Sequence, residues 1–190
     1  MLIDQKILHV HIPRTGGRFI KELFKHSNYK IAFFEFDRTF RGKEVAHLTF
    51  PEYEFFYDHA NFEKFSVVRD PVDKFLSAIN NYGKINNEKI EYILKTQNLF
   101  DEFINNTIYN DCSNYFVPQV NFLDYKTKIY KYEEGLNINF NKWLSDNFNL
   151  GIIPMNYIHD EKKSRQLYIS NKQKKYIENY YYKDYKILGY

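Results

Sequence analysis

The sequence predicts a three-layer α/β/α fold built around a central, mainly parallel sheet. Three observations predict it. Short apolar runs of strand length alternate with stretches of helical spacing, the pattern of a sheet with helices on its faces. Two of those runs, residues 6–12 and 64–68, end in turns that open directly into helices. No internal repeat, low-complexity linker or shift in composition marks a boundary, so residues 1–190 read as a single domain. A chain of 190 residues is long enough to bury a sizeable core.

Taken in order, residues 6–12 form the first strand and residues 17–26 the helix after it. Residues 31–36 form a second strand, bounded by Asn28 and Asp37, and residues 44–47 a short third. Pro51 then opens a helix through residue 57. Residues 64–68 form the fourth strand, whose unbroken apolar character suits a parallel strand covered on both faces. Residues 71–82 are helical, with Phe75, Leu76 and Ile79 on one face, and Asn80-Asn81-Tyr82-Gly83 stops them. Two helices fill residues 86–107, carrying Ile90, Ile93 and Leu94, then Phe100, Phe103 and Ile104; residues 110–114 are loop. Residues 128–131 form the last strand, and residues 140–148 an amphipathic helix around Trp143 and Leu144. Residues 151–165, with Pro154, are irregular. Ser170 caps a final helix that runs through residue 182.

The two strand-to-helix turns carry the chemistry. In Ile12-Pro13-Arg14-Thr15-Gly16-Gly17-Arg18 the glycines let backbone N–H groups approach an anion closely, and the helix N-terminus adds partial positive charge. Arg14 and Arg18 add full charges. In Val68-Arg69-Asp70-Pro71 the strand ends at Val68, Arg69 follows it, Asp70 is an N-cap and Pro71 takes the first helical position. Ser77, about two turns down that helix, is placed to hydrogen-bond an oxygen held by Arg69. Open α/β sheets bind ligands at the carboxyl ends of their strands. A ligand with two separate phosphate-like groups fits the pair better than a simple nucleotide does.

Composition excludes several classes. The net charge of +3, with acids and bases interspersed, is too mild for a strongly basic nucleic-acid binder, although it allows a local basic funnel. The 18 tyrosines and 18 phenylalanines stand among many Asn, Lys and Ile, the residues of AT-rich codons, so the aromatic clusters are no evidence of base or sugar stacking. The single cysteine, Cys112, rules out an intramolecular disulfide framework; it reads as a small core residue. No stretch approaches the ~20 apolar residues of a membrane span.

The two motifs resemble the 5′-phosphosulfate loop and the 3′-phosphate motif of sulfotransferases that use 3′-phosphoadenosine 5′-phosphosulfate (PAPS). They are most similar to the carbohydrate, heparan sulfate 2-O-sulfotransferase-like type, with its "IPKTGGTS" loop and "VRDPVxRFLSAY" strand-helix. Looser similarity extends over His47-Leu48-Thr49, the 118–123 segment, Tyr130-Lys131-Tyr132-Glu133 and the terminal Leu188-Gly189-Tyr190. The family's loop lysine is Arg14 here, and its Thr-Ser is Arg18-Phe19. A guanidinium can hold an oxyanion bidentately but is a poorer proton donor than an ammonium.

The resemblance implies a P-loop NTPase-like sulfotransferase fold. It also implies PAPS as donor, 3′-phosphoadenosine 5′-phosphate (PAP) as product, no metal, and in-line transfer to a hydroxyl, that of a carbohydrate acceptor. Pro13, Arg14, Thr15, Gly16, Gly17 and Arg18 would hold the phosphosulfate, with Arg14 also stabilising the leaving group. Arg69 and Ser77 would hold the 3′-phosphate, and Lys131 and Lys163 would close over the nucleotide beside Lys162 and Arg165. His47 is the candidate base, since family members of the 2-O-sulfating type carry a histidine in a comparable stretch, and Glu35, ending the second strand, is the other. Asp70 reads as a cap rather than a catalyst, Asp73 and Lys74 as solvated helix surface, and His9 and His11 as structural, with His11 orienting the loop. Gln119 and Phe122 match a segment that lines the acceptor side.

Eukaryotic relatives of this look are anchored in the Golgi membrane. This chain starts directly at its first strand, which leads to the expectation of a soluble cytoplasmic protein, bacterial or virus-encoded, with no nucleic-acid or membrane partner. Two other classes compete: a non-catalytic PAP(S)- or glycan-binding module of the same fold, and a P-loop kinase or NTPase. The latter lacks its G-x-x-x-x-G-K-[ST] pattern here.

Overall fold

The computed structural model of the chain describes residues 1–32, 39–54, 61–82, 87–155 and 167–190. Seven strands occur among them: β1 (Leu2–Ile3), β2 (Ile7–His9), β3 (Ile31–Ala32), β4 (Thr39–Phe40), β5 (Lys43–Glu44), β6 (Glu63–Val68) and β7 (Lys128–Lys131). Eight α-helices accompany them: α1 (Gly17–Lys25), α2 (Phe50–Glu54), α3 (Pro71–Asn81), α4 (Asn87–Ile93), α5 (Gln97–Asn110), α6 (Ile138–Phe148), α7 (Asn171–Tyr180) and α8 (Tyr182–Leu188).

Five strands make one sheet in the order β3-β1-β2-β6-β7, and β4 and β5 pair separately as a hairpin. The sheet is mixed, which corrects the expectation of a mainly parallel one. β2 is parallel to β6 and β6 to β7, but β1 is antiparallel to both β2 and β3. The cause is an N-terminal hairpin: Asp4 and Gln5 both adopt positive φ, 46° and 56°, and Lys6 N–H closes the turn onto the Ile3 carbonyl at 3.0 Å. Two adjacent left-handed residues give the twist that a tight hairpin needs.

Each face of the sheet is covered, as the alternation along the strands requires. Ile7, Phe65, Val67 and Tyr130 point into one cluster with Ile20, Leu23 and Phe24 of α1 and Phe140, Leu144 and Phe148 of α6. Leu8 and Val68 point the other way, into a cluster with Leu48, Tyr53 of α2, Phe122 and Leu188 of α8. A third cluster joins α3, α4, α5 and α7 through Phe75, Ile90, Phe100 and Ile177.

Most expected elements stand close to their expected bounds. The 128–131 strand is matched end to end, and Asp70 caps α3 by accepting from Asp73 N–H at 3.0 Å. Ser170 caps α7 in a full capping box with Gln173. α7 ends at Tyr180, two residues short of the expected end, and a further helix, α8, follows that was not expected.

Three other expectations are corrected. Residues 44–47 are not a strand of the sheet: β5 ends at Glu44 in its own hairpin and Val45–His47 is a 3₁₀ turn. Lys74 is not solvated; it is fully buried and donates to the carbonyls of Tyr115 and Val117 at 2.8 and 3.1 Å. Cys112 is not a core residue but exposed.

Candidate functional site

β2 and β6 lie side by side and parallel, so the turns that follow them open at the same edge of the sheet. After β2 the chain passes Ile12 and Pro13 and enters a left-handed residue at Arg14, with φ 69°. A non-glycine residue in that region costs roughly 1–2 kcal/mol, so its surroundings must hold it there. They do so at three points. Thr15 Oγ1 donates to the Ile12 carbonyl at 2.8 Å, Arg14 Nε donates to Ser77 Oγ at 3.1 Å, and the Arg14 carbonyl accepts from Arg69 Nη1 at 3.4 Å.

Gly16, also left-handed at φ 94°, is the N-cap of α1 and offers no side-chain acceptor to the first turn. The N–H groups that open a helix have no acceptor within it, so this end presents donors and positive potential together. Both glycines are required by close approach. A Cβ at Gly16 would run into Leu136 Cδ1, and one at Gly17 would fall inside the His11 ring. His11 thus supports the loop from beneath, as expected of it. Burial, with His47 as the next cause, drives His11 well below the usual imidazole range, so it supports the loop as a neutral ring.

The second turn is held from its own side. Arg69 follows β6, and its guanidinium lies over the Tyr132 ring, 4.6 Å from the centroid. Arg69 Nε is buried and makes no hydrogen bond among the described residues. Such a donor is the kind of group that an anion satisfies. Ser77, buried in α3, accepts from Arg14. The structure thus links Arg14 to Ser77 through its side chain and to Arg69 through its carbonyl, whereas the sequence reading places Ser77 beside Arg69.

His47 also reaches the loop, though not by the route expected. It sits in the 3₁₀ turn rather than at a strand end, and its ring centroid is 4.7 Å from that of His11, which abuts Gly17. Its Nδ1 is 2.7 Å from Glu44 Oε2. A carboxylate only accepts, so Nδ1 carries the hydrogen, and in the neutral ring Nε2 is then the acceptor nitrogen. Glu44 is held in turn by Ser113 Oγ, which donates to Oε1 at 2.8 Å. The His47 hydrogen bond is the main cause that holds the Glu44 carboxyl below the usual range, against its partial burial. Tyr115 packs edge-on against His47 at 5.8 Å.

The remaining expected site residues have varied surroundings. Lys131 Nζ donates to the Gly189 carbonyl at 2.7 Å and lies 4.5 Å from the Tyr190 ring centroid, where it fastens the last residues of the chain. Arg18 is exposed on the first turn of α1. Gln119 and Phe122 are both fully buried and cannot face an acceptor. Glu35, Lys162, Lys163 and Arg165 lie outside the described residues.

The sequence reading missed Glu44, Ser113, Tyr132 and Asp184. The signal for Glu44 was its spacing of three from His47: a strand puts such a pair on opposite faces, whereas a 3₁₀ turn eclipses them. Among the described residues no helix is long and apolar enough to cross a membrane, and no group of three or more His, Cys, Asp or Glu is placed to hold a metal ion. Scans of the chain against protein-family models, curated proteins and solved structures returned no match. The fold and site define an α/β protein with two adjoining strand-to-helix turns rich in cationic and N–H donors.

Proposed function

We propose that this chain is a PAPS-dependent sulfotransferase of the P-loop NTPase-like type, acting on a hydroxyl of a carbohydrate. One observation carries the reading: Arg14 and Arg69, from turns 55 residues apart, share a border at which Arg14 meets Ser77 and Arg69 meets the Arg14 carbonyl. Two anion sites built against one another suit a ligand with two anionic groups on one nucleoside. The residues fit the donor on two further counts, the glycine cradle that a Cβ would fill and the orphaned Nε of Arg69.

In this reading Gly16, Gly17 and the first turn of α1 hold the 5′ group, with Arg14 and Arg18 supplying charge. Arg69 and Ser77 hold the 3′-phosphate. The donor, when bound, supplies an activated sulfuryl group. His47 takes the proton of the acceptor hydroxyl at Nε2, while Glu44 keeps the ring in the tautomer that leaves this nitrogen basic. Arg14 stabilises the charge that develops on the departing phosphate, a preorganised role of the kind worth 10²–10³ in rate, by order of magnitude.

The burial of His47, 3% exposed, favours one alternative, a PAP-binding module without turnover. Binding and turnover separate the two. In a thermal-shift panel PAP should raise the melting temperature well beyond AMP at equal concentration, because a ligand at a hundred times its Kd adds about 2.7 kcal/mol. Arg69→Ala should remove most of that difference. Equal shifts for PAP and AMP would sink the two-anion reading, and a larger shift with ATP and magnesium would point to an NTPase. A PAP response without sulfuryl transfer to any of a panel of glycans would favour the binding module.

A further inference from the structure

β6 ends at Val68, so Arg69 stands just beyond the strand that delivers it. Its backbone is nevertheless fully engaged. Arg69 N–H donates to Gln119 Oε1 at 2.9 Å, and the Arg69 carbonyl accepts from Gln119 Nε2 at 2.7 Å. One primary amide grips both polar groups of one residue, much as a neighbouring strand would. That grip works in only one of the two flips of the amide. With Oε1 and Nε2 exchanged, donor would face donor and acceptor would face acceptor.

Asp184 reinforces that flip from the other side. This carboxylate, on α8, is fully buried. Its Oδ1 accepts from Val120 N–H at 3.0 Å, and its Oδ2 accepts from Gln119 N–H at 2.9 Å and from Gln119 Nε2 at 3.5 Å. It thereby caps the 3₁₀ turn Gln119–Phe122, whose own N-cap, Pro118, makes no side-chain cap bond. A buried carboxylate is a costly cap where a neutral Asn or Ser would serve. Its charge has a use that theirs does not, since an acceptor-only group forces the donor end of Gln119 toward itself and leaves Oε1 for the Arg69 N–H.

We propose that Asp184 is a positioning residue for the 3′-phosphate site, acting through Gln119 to fix the backbone of Arg69 and hence the place from which its guanidinium reaches the ligand. The proposal rests on the reading of Arg69 given above. It assigns to α8, far along the chain from both motifs, control over discrimination between nucleotides with and without a 3′-phosphate. The 5′ group is held by a different turn and lies outside this control.

The test is calorimetric titration of wild type, Asp184→Asn and Gln119→Met with PAP and with AMP, beside solvent exchange of the Arg69 backbone amide. In both variants PAP affinity should fall by about tenfold or more while AMP affinity stays within about twofold, so that the PAP-to-AMP ratio narrows. The Arg69 amide should exchange about tenfold faster, with Val67 inside β6 unchanged. An unaltered ratio in the folded variants, or an unaltered Arg69 exchange rate in them, overturns the relay. Gln119→Met leaves the buried carboxylate its two backbone donors and carries the test if Asp184→Asn does not fold. A wild-type chain that binds PAP and AMP alike overturns the function itself, and does so before any substitution is compared.

Discussion

Arg14 sustains a left-handed backbone that a glycine would adopt without strain, and its side chain and carbonyl are both engaged by the second motif. Strain kept in place by surrounding contacts marks a position chosen for what its side chain does. The same logic applies at His47, where a nearly buried imidazole is given a carboxylate partner that is itself held by a serine. If His47 is the base, His47→Ala should lower turnover by about 10²–10⁴ and leave PAP affinity largely intact, since the residue packs on the supporting His11 ring. Glu44→Gln should cost less, because the amide can still accept from Nδ1 through its oxygen but carries no charge to stabilise the imidazolium. Single-turnover rates on the two variants decide it. Near-normal turnover in His47→Ala would assign proton removal elsewhere and leave the ring a structural role.

At the scale of elements, the turn into α1 and the turn between β4 and β5 depend on glycine for different reasons that substitution can separate. A Cβ at Gly17 would enter the His11 ring, whereas Gly42, in the β4–β5 turn, has open space around it and only a positive φ of 79°. Gly42→Ala should therefore cost about 1–2 kcal/mol of backbone strain. Gly17→Ala should cost more, in the upper part of the roughly 1–3 kcal/mol that overpacking carries. His11→Ala should recover part of the Gly17→Ala loss, a coupling that a double-mutant cycle from urea unfolding measures. Additive losses would show that the ring does not press on the loop.

These elements differ in how legible they were. α1, β6, α3, β7 and α6 could be read from the chain because each carries its own signal: a glycine turn, an unbroken apolar strand, the Asp70-Pro71 cap, a helical stripe. The N-terminal hairpin was not legible, since Asp4-Gln5 has no glycine to announce two left-handed residues, and the mixed sheet follows from that one turn. Arg14, Arg69 and Ser77 were found because their motifs are local. Glu44, Gln119 and Asp184 take their roles from contacts across 50 or more residues in two of the three cases, and in the third from a 3₁₀ turn read as a strand.

Across the whole molecule, buried charges mark where the separate clusters are tied together. Lys64 of β6 meets Asp124, ahead of β7, at 2.7 Å with both side chains almost wholly enclosed. Lys74 ties α3 to the segment 115–117, where the negative charges of Asp184 and Asp111 act on it. Its geometry fits a cation, but the enclosure does not: burial lowers its pKa from 10.5 to about 8, against the pull of those two carboxylates. The sign of the consequence follows from linkage. Between pH 8 and 10.5 the unfolded chain binds a proton at this lysine that the folded chain has released, so folding stability rises with pH across that window. Below about pH 8 both states hold the proton and the charge is carried in the folded state at a cost on the order of 3 kcal/mol. The tyrosines Tyr180, Tyr181 and Tyr185, whose hydroxyls burial pushes upward, oppose this only where an unfolded tyrosine would ionise, near pH 10. The buried N-terminal amine, lowered from 8.0 to about 5, adds its own rise in stability up to about pH 8, so the clean interval is pH 8 to 9.5. Urea unfolding across it should show stability climbing in wild type relative to Lys74→Met, which has no proton to release at this position. Parallel curves for the two proteins would mean that Lys74 keeps an ordinary ammonium in the fold and that its two carbonyl acceptors fully replace the water it has lost.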